Sequence, residues 1–182
     1  MMVFLIILSC MLWIAALGTL GKRILLAPAL SYCGLLVISF AMHNDLPVVP
    51  LSKSMLISWL CITLVMMLII VLQNPAIRMQ SRGTGYILVG GLAGMAVGLL
   101  AFTFTASLTF LYSLMLLGII IGIFLGYLLF TRTPDGVAVA PGTGNFFRYL
   151  LAKGFPTLIT LAQPGIVAVI LIASTLPEHG AF

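Results

Sequence analysis

The sequence predicts an all-α, polytopic membrane bundle of six transmembrane helices with both termini on the non-cytoplasmic side. Three observations carry that reading: an excess of apolar residues, their grouping into stretches of membrane-spanning length, and a lopsided distribution of cations. Of the 182 residues 63% are hydrophobic and 6% are charged, against about 25% charged in soluble domains. A water-soluble domain of this size needs a polar exterior, so lipid is the expected solvent and the chain reads as one integral membrane domain.

A helix rises about 1.5 Å per residue and the hydrocarbon core is about 30 Å thick, so a span needs about 20 mostly apolar residues. Six stretches meet that length, at about 2–20, 24–42, 53–72, 86–107, 108–130 and 156–176. The first is expected to be a span and not a signal peptide, because no Lys or Arg precedes Lys22 and the charged leading region is absent. Between Tyr86 and Phe130 there is neither charge nor proline. A single helix over that stretch would be about 65 Å long, twice the membrane thickness, so the chain must reverse. The cluster Thr103, Thr105, Ser107 and Thr109 is the expected turn, since hydroxyls can bond the backbone groups freed there.

Orientation follows from the rule that Lys and Arg in short loops stay cytoplasmic. Lys22 and Arg23 fall between spans one and two, Arg78 and Arg82 between three and four, and Arg132, Arg148 and Lys153 between five and six. The opposite side holds Lys53, together with His43, Asp45, Glu178 and His179. An odd number of spans would mix the cations between sides. In the one long connection, 131–155, the first half is turn chemistry, Thr133-Pro134-Asp135-Gly136 to Pro141-Gly142-Thr143-Gly144. The second half, Asn145 to Lys153, sets Phe146, Phe147, Tyr149 and Leu beside cations. Two readings stand open for it: a short interfacial helix in the headgroup region before the last span, or an extension leading directly into span six.

Two features invite a functional reading. Gly90, Gly94 and Gly98 in span four, and Gly118, Gly122 and Gly126 in span five, each place three glycines on one helix face, a glycine-zipper spacing. Without a hydrophobic drive between helices in lipid, such faces let backbones approach closely and gain dispersion contacts. The two ladders are expected to face each other, or one of them to receive a helix from another subunit. Span six carries Gln163, Pro164 and Gly165, where proline frees a carbonyl. The site is a candidate kink or solute site, since broken helices line substrate sites in transporters, and the alternative is that a neighbouring hydroxyl satisfies the freed group.

No Asp, Glu, Lys, Arg or His lies in the interior of a predicted span, which argues against a proton relay, ion-coupled pump or voltage sensor acting through this chain alone. No catalytic or cofactor-binding site is expected. The Gly-Thr-Gly runs at 83–85 and 142–144 lack the flanking pattern of a phosphate cradle, and no nucleophile-elbow or zinc-protease motif is present. His43, Asp45, Glu178 and His179 are chemically suited to a metal but not spaced for one, and Cys10, Cys33 and Cys61 sit in apolar stretches as packing residues. A net charge of +5 is what topology alone requires, so nucleic acid is not an expected partner.

Two classes remain: a non-catalytic subunit of a membrane complex, packing against other membrane subunits or itself, and a small, oligomeric transporter or channel for a neutral or weakly charged solute. Short loops point to a bacterial inner membrane.

Overall fold

In the computed structural model the described residues are 2–21, 24–44, 51–73, 83–100, 108–139 and 143–175. They form helices in the order α1 (Met2–Thr19), α2 (Leu26–Asn44), α3 (Lys53–Leu72), α4 (Thr84–Leu100), α5 (Leu108–Thr131), α6 (Pro134–Val139), α7 (Thr143–Tyr149) and α8 (Phe155–Thr175), with a π-helical turn at Leu150–Gly154 joining α7 to α8. Among the described residues four helical stretches are long and apolar enough to cross a membrane: Leu26–His43, Lys53–Leu72, Thr109–Thr131 and Phe146–Ile172. Two more, Val3–Thr19 and Thr84–Leu100, are apolar but shorter. The expected turn at 103–107 and the cations Lys22, Arg23, Arg78 and Arg82 lie outside the described residues.

The segment after Pro141 is helical and leads directly into the last long helix. Helical backbone runs without a break from Thr143 through the π turn into α8, with Tyr149 and Phe155 both in right-handed helical geometry, so α7 is continuous with the last long helix. The aromatics of α7 have an inward partner instead of the headgroup layer alone. Phe146 packs edge-on against Tyr127 at 5.0 Å and against Phe124 at 6.2 Å, and Tyr149 stacks on Phe130 at 5.6 Å. Inserting one residue into an α-helix rotates the faces before and after it by about 100°. The π turn thereby lets α7 present aromatics to α5 while α8 presents a different set to the bundle centre.

That centre is α8. It packs against α1, α2, α3, α4 and α5, and its buried residues include Thr157, Thr160, Leu161, Gln163, Ile166 and Val169. Contacts between named positions give relative directions. Ser9 meets Gly34 and Trp13 meets Ser31, so α1 and α2 are antiparallel. Thr84 meets Lys153 and Gly91 meets Leu161, so α4 and α8 are parallel; Met115 meets Gly165 and Ile123 meets Gly154, so α5 is antiparallel to α8.

Among the described residues, α4 and α5 approach each other backbone to backbone. A Cβ built on Gly94 would fall on the Gly118 carbonyl oxygen, one on Gly122 on the Gly90 carbonyl, and one on Gly126 on the Tyr86 carbonyl. At Gly98 it would stand 2.6 Å from the Leu114 carbonyl oxygen. The obstructions are backbone atoms, which have no rotamer to retreat into, so even a methyl group has to push the helices apart. Gly85 on the same helix has nothing within 4 Å of the equivalent point. Gly94→Ala and Gly122→Ala are therefore expected to destabilise the protein by about 1–3 kcal/mol, the usual cost of overpacking. Gly85→Ala should be neutral or slightly stabilising, since Ala is the better helix former. Reversible unfolding in mixed micelles compares the three, and equal losses at positions 85 and 94 would show that the seam does not hold the hairpin.

Candidate functional site

The interior of the bundle contains a belt of polar groups at the level of Pro164. Proline has no N–H and cannot donate to the carbonyl four residues earlier, so the Thr160 carbonyl is left without its intrahelical partner. The Ser31 hydroxyl of α2 donates to that carbonyl at 2.9 Å, and both residues are buried. A neighbouring hydroxyl thus satisfies the group that the proline frees. The Ser31 backbone carbonyl in turn accepts from Trp13 Nε1 at 3.2 Å, and Ser9 donates to the Gly34 carbonyl at 2.8 Å. These bonds tie α1, α2 and α8 together where lipid offers no competing donor.

Gln163, one residue before the proline, is fully buried. Its Nε2 donates to Thr63 Oγ1 at 3.0 Å, and Thr63 donates its own proton to the Trp59 carbonyl at 2.7 Å. That second bond fixes the orientation of the amide. With the threonine proton committed, only the NH2 end of Gln163 can face Thr63, and Oε1 must point elsewhere. Oε1 is buried and has no hydrogen-bond partner among the described residues. The bond to Thr63 joins α8 to α3, whose other link to the bundle includes the Tyr32 hydroxyl donating to the Leu56 carbonyl at 3.1 Å.

Gly165, grouped with the kink by sequence, has a packing role. A Cβ there would stand 2.6 Å from Met115 Sδ and 3.3 Å from Met95 Sδ, so its bare backbone seats two flexible side chains of the α4–α5 hairpin against α8. Gly91, adjacent to the ladder and overlooked by the four-residue spacing, does the same for α8: a Cβ would come within 2.7 Å of Leu161 Cδ1. The signal available in the sequence was the doublet Gly90-Gly91, one residue for each of two helix neighbours.

The three described cations of the last connection have different fates. Arg132 and Arg148 are exposed. Lys153 is not: its side chain is buried to 1% exposure, and its ammonium donates to Thr84 Oγ1 at 2.9 Å, at the first turn of α4. A buried ammonium is costly unless hydrogen-bonded, so this lysine has to be read as an internal tie between α4 and the π turn as well as a loop cation. Tyr149 lies beside it, and Gly83, with φ +80, takes a backbone conformation that suits glycine just where a Cβ would collide with the Tyr149 hydroxyl. Asp45, Glu178 and His179 are outside the described residues, and His43 is exposed.

Set against models of known protein families, characterised proteins and solved structures, the chain matches none of them.

The role of Ser31 is open to a double-mutant cycle. Ser31→Ala should cost about 1 kcal/mol, within the range of interhelical hydrogen bonds in membranes. In a Pro164→Ala background residue 164 regains an N–H for the Thr160 carbonyl, and the same substitution should cost markedly less. Unfolding free energies of the four proteins measure the coupling; additivity would mean that Ser31 does not serve the proline-freed carbonyl.

Proposed function

We propose that this chain is a non-catalytic, multi-pass subunit of a membrane complex, crossing a bacterial inner membrane six times with both termini outside, and that it meets its partner through the outer face of the α4–α5 hairpin. The observation that carries this reading is a groove of about 750 Å³ along that face. Its floor is the glycine seam and its walls are Val89, Ala93 and Val97 of α4 and Ile121, Leu125 and Leu129 of α5. The inward sides of the ladders are taken up by each other, which leaves the outer side for a helix from another subunit. In lipid such a helix gains its stabilisation from close packing, and a floor without side chains permits the closest approach. The parallel α4 and α8 and the antiparallel α5 support alternate crossing of the bilayer, and exposed Arg132 and Arg148 on the α5–α8 connection suit its cytoplasmic side.

A second reading, a small carrier for a neutral solute, is favoured by one observation, the buried Gln163 Oε1 with no donor among the described residues.

Two measurements bear on these readings. Gentle solubilisation from the native membrane followed by size analysis should recover the wild type with other subunits, while Ala93→Phe and Val97→Trp, which fill the groove without touching the seam, should come out folded and alone. A lone wild-type monomer that moves solute into liposomes, with the movement lost in Gln163→Ala, would replace the first reading by the second. For topology, Asp135→Cys and Gly180→Cys, in a chain whose native Cys10, Cys33 and Cys61 are replaced by Ala, should react with an impermeant maleimide from opposite sides of the membrane. Position 136 is unsuitable, because a Cβ on Gly136 would meet the Phe130 carbonyl.

A further inference from the structure

Where α7 turns into α8, the π turn opens a second, smaller recess against α5. It has a volume of about 160 Å³ and is lined only by apolar atoms, from Ile120 and Phe124 of α5 and from Leu150, Gly154, Phe155 and Leu158. Glycine at 154 is part of its cause, since a Cβ there would reach within 2.5 Å of Leu150 Cδ1 and 3.5 Å of Ile123. Ile120, Phe124 and Phe155 are each between 40% and 49% exposed, so the recess opens sideways toward the surroundings of the bundle. At the α7 end Phe146 packs edge-on against Phe124, one of the residues that line it. A helix is about 10–12 Å across with its side chains, too wide for this space, whereas a flexible hydrocarbon chain is not.

Arg148, two residues past Phe146, is exposed. Leu151 and Phe155, further along the same helical run, are each 40% exposed, so a cation stands on the outer side of the α7 end and the apolar recess on the outer side of the turn that follows. Tyr86, Tyr127 and Tyr149 cluster with Phe130 and Phe146 at this end of the bundle, the side-chain chemistry of the layer where hydrocarbon gives way to headgroups. We propose that this cleft binds one anionic phospholipid, with an acyl segment in the recess between α5 and α8 and its phosphate on the Arg148 guanidinium. Arginine holds phosphate through paired N–H donors, and basic pockets between membrane helices suit anionic headgroups. The apolar recess selects a lipid over free phosphate. The proposal rests on the membrane reading of the chain and is independent of the groove on α4.

Native mass spectrometry of the purified protein, titrated with phosphatidylglycerol and with phosphatidylcholine of the same acyl chains, tests it. The wild type should retain phosphatidylglycerol about five-fold better, the factor that one cation near an anionic surface contributes, and inorganic phosphate should not displace it. Arg148→Gln should lose the preference while still retaining both lipids weakly. Ile120→Trp, which plugs the recess from an exposed position, should lose retention of both. Equal retention of the two lipids by the wild type, displacement by phosphate, or an undiminished preference in Arg148→Gln would each overturn the proposal. Ala93→Phe should keep the lipid preference, so failure of the subunit contact and failure of this site are read separately.

Discussion

In a solvent that offers no hydrogen bonds, every backbone group released from a helix has to find its partner inside the protein. Pro164 makes that constraint concrete. By leaving the Thr160 carbonyl without a helical donor it creates a need that Ser31 of α2 meets at 2.9 Å, and Trp13 of α1 then binds the carbonyl of Ser31 itself. Three helices are held in register by a chain of bonds that begins at one missing N–H. Because α8 touches α1 through α5, its register sets the positions of the others. The hairpin follows from it, seated on α8 through Gly91 against Leu161 and through Gly165 against Met115.

Dispersion forces do the remaining work, and they act where side chains are missing. Between α4 and α5 the contact is backbone against backbone, which maximises the number of atoms at van der Waals distance when neither helix gains anything from leaving water. The same closeness produces the shallow, smooth groove on the outer side, since two helices that nearly touch leave a furrow bordered by the next residues around each cylinder. The furrow is a geometric consequence of the seam. Its walls of Val, Ile and Leu and the stripe of small residues beneath them are parts of one arrangement.

How much of this can be read from the chain depends on the range of the interaction. Helical character and apolar length are local properties, and four stretches carry them at full span length among the described residues. The four-residue spacing of Gly90, Gly94 and Gly98 is local too, and it marks a face of close approach without saying which helix arrives there. The functions of Gly91 and Gly165 are invisible in the sequence, because they exist only with respect to Leu161, Met115 and Met95 on other helices. Lys153 is the clearest case. In the sequence it is one more cation in a polar connection, and nothing nearby separates it from Arg148. The π turn and the approach of Thr84 put its ammonium inside, and both depend on how α4 and α8 meet. The partner of the proline-freed carbonyl, Ser31, lies 129 residues away along the chain, beyond the reach of any local pattern.

The hydroxyls of the interior also bear on the choice between a static subunit and a carrier. A path for a polar solute needs donors and acceptors that are free to exchange partners. Ser9, Ser31, Thr63, Thr157 and Thr160 each direct their one proton to a backbone carbonyl, at distances between 2.7 and 2.9 Å. Moving any of them to a solute would uncover a carbonyl in a medium with nothing to replace the lost bond. At the level of Pro164, Gln163 retains an acceptor outside this scheme, and its amide donor already serves Thr63. Buried hydroxyls committed in this way to the backbone suit a bundle to holding a shape, and that is the physical ground on which the proposal favours a packing subunit over a moving carrier.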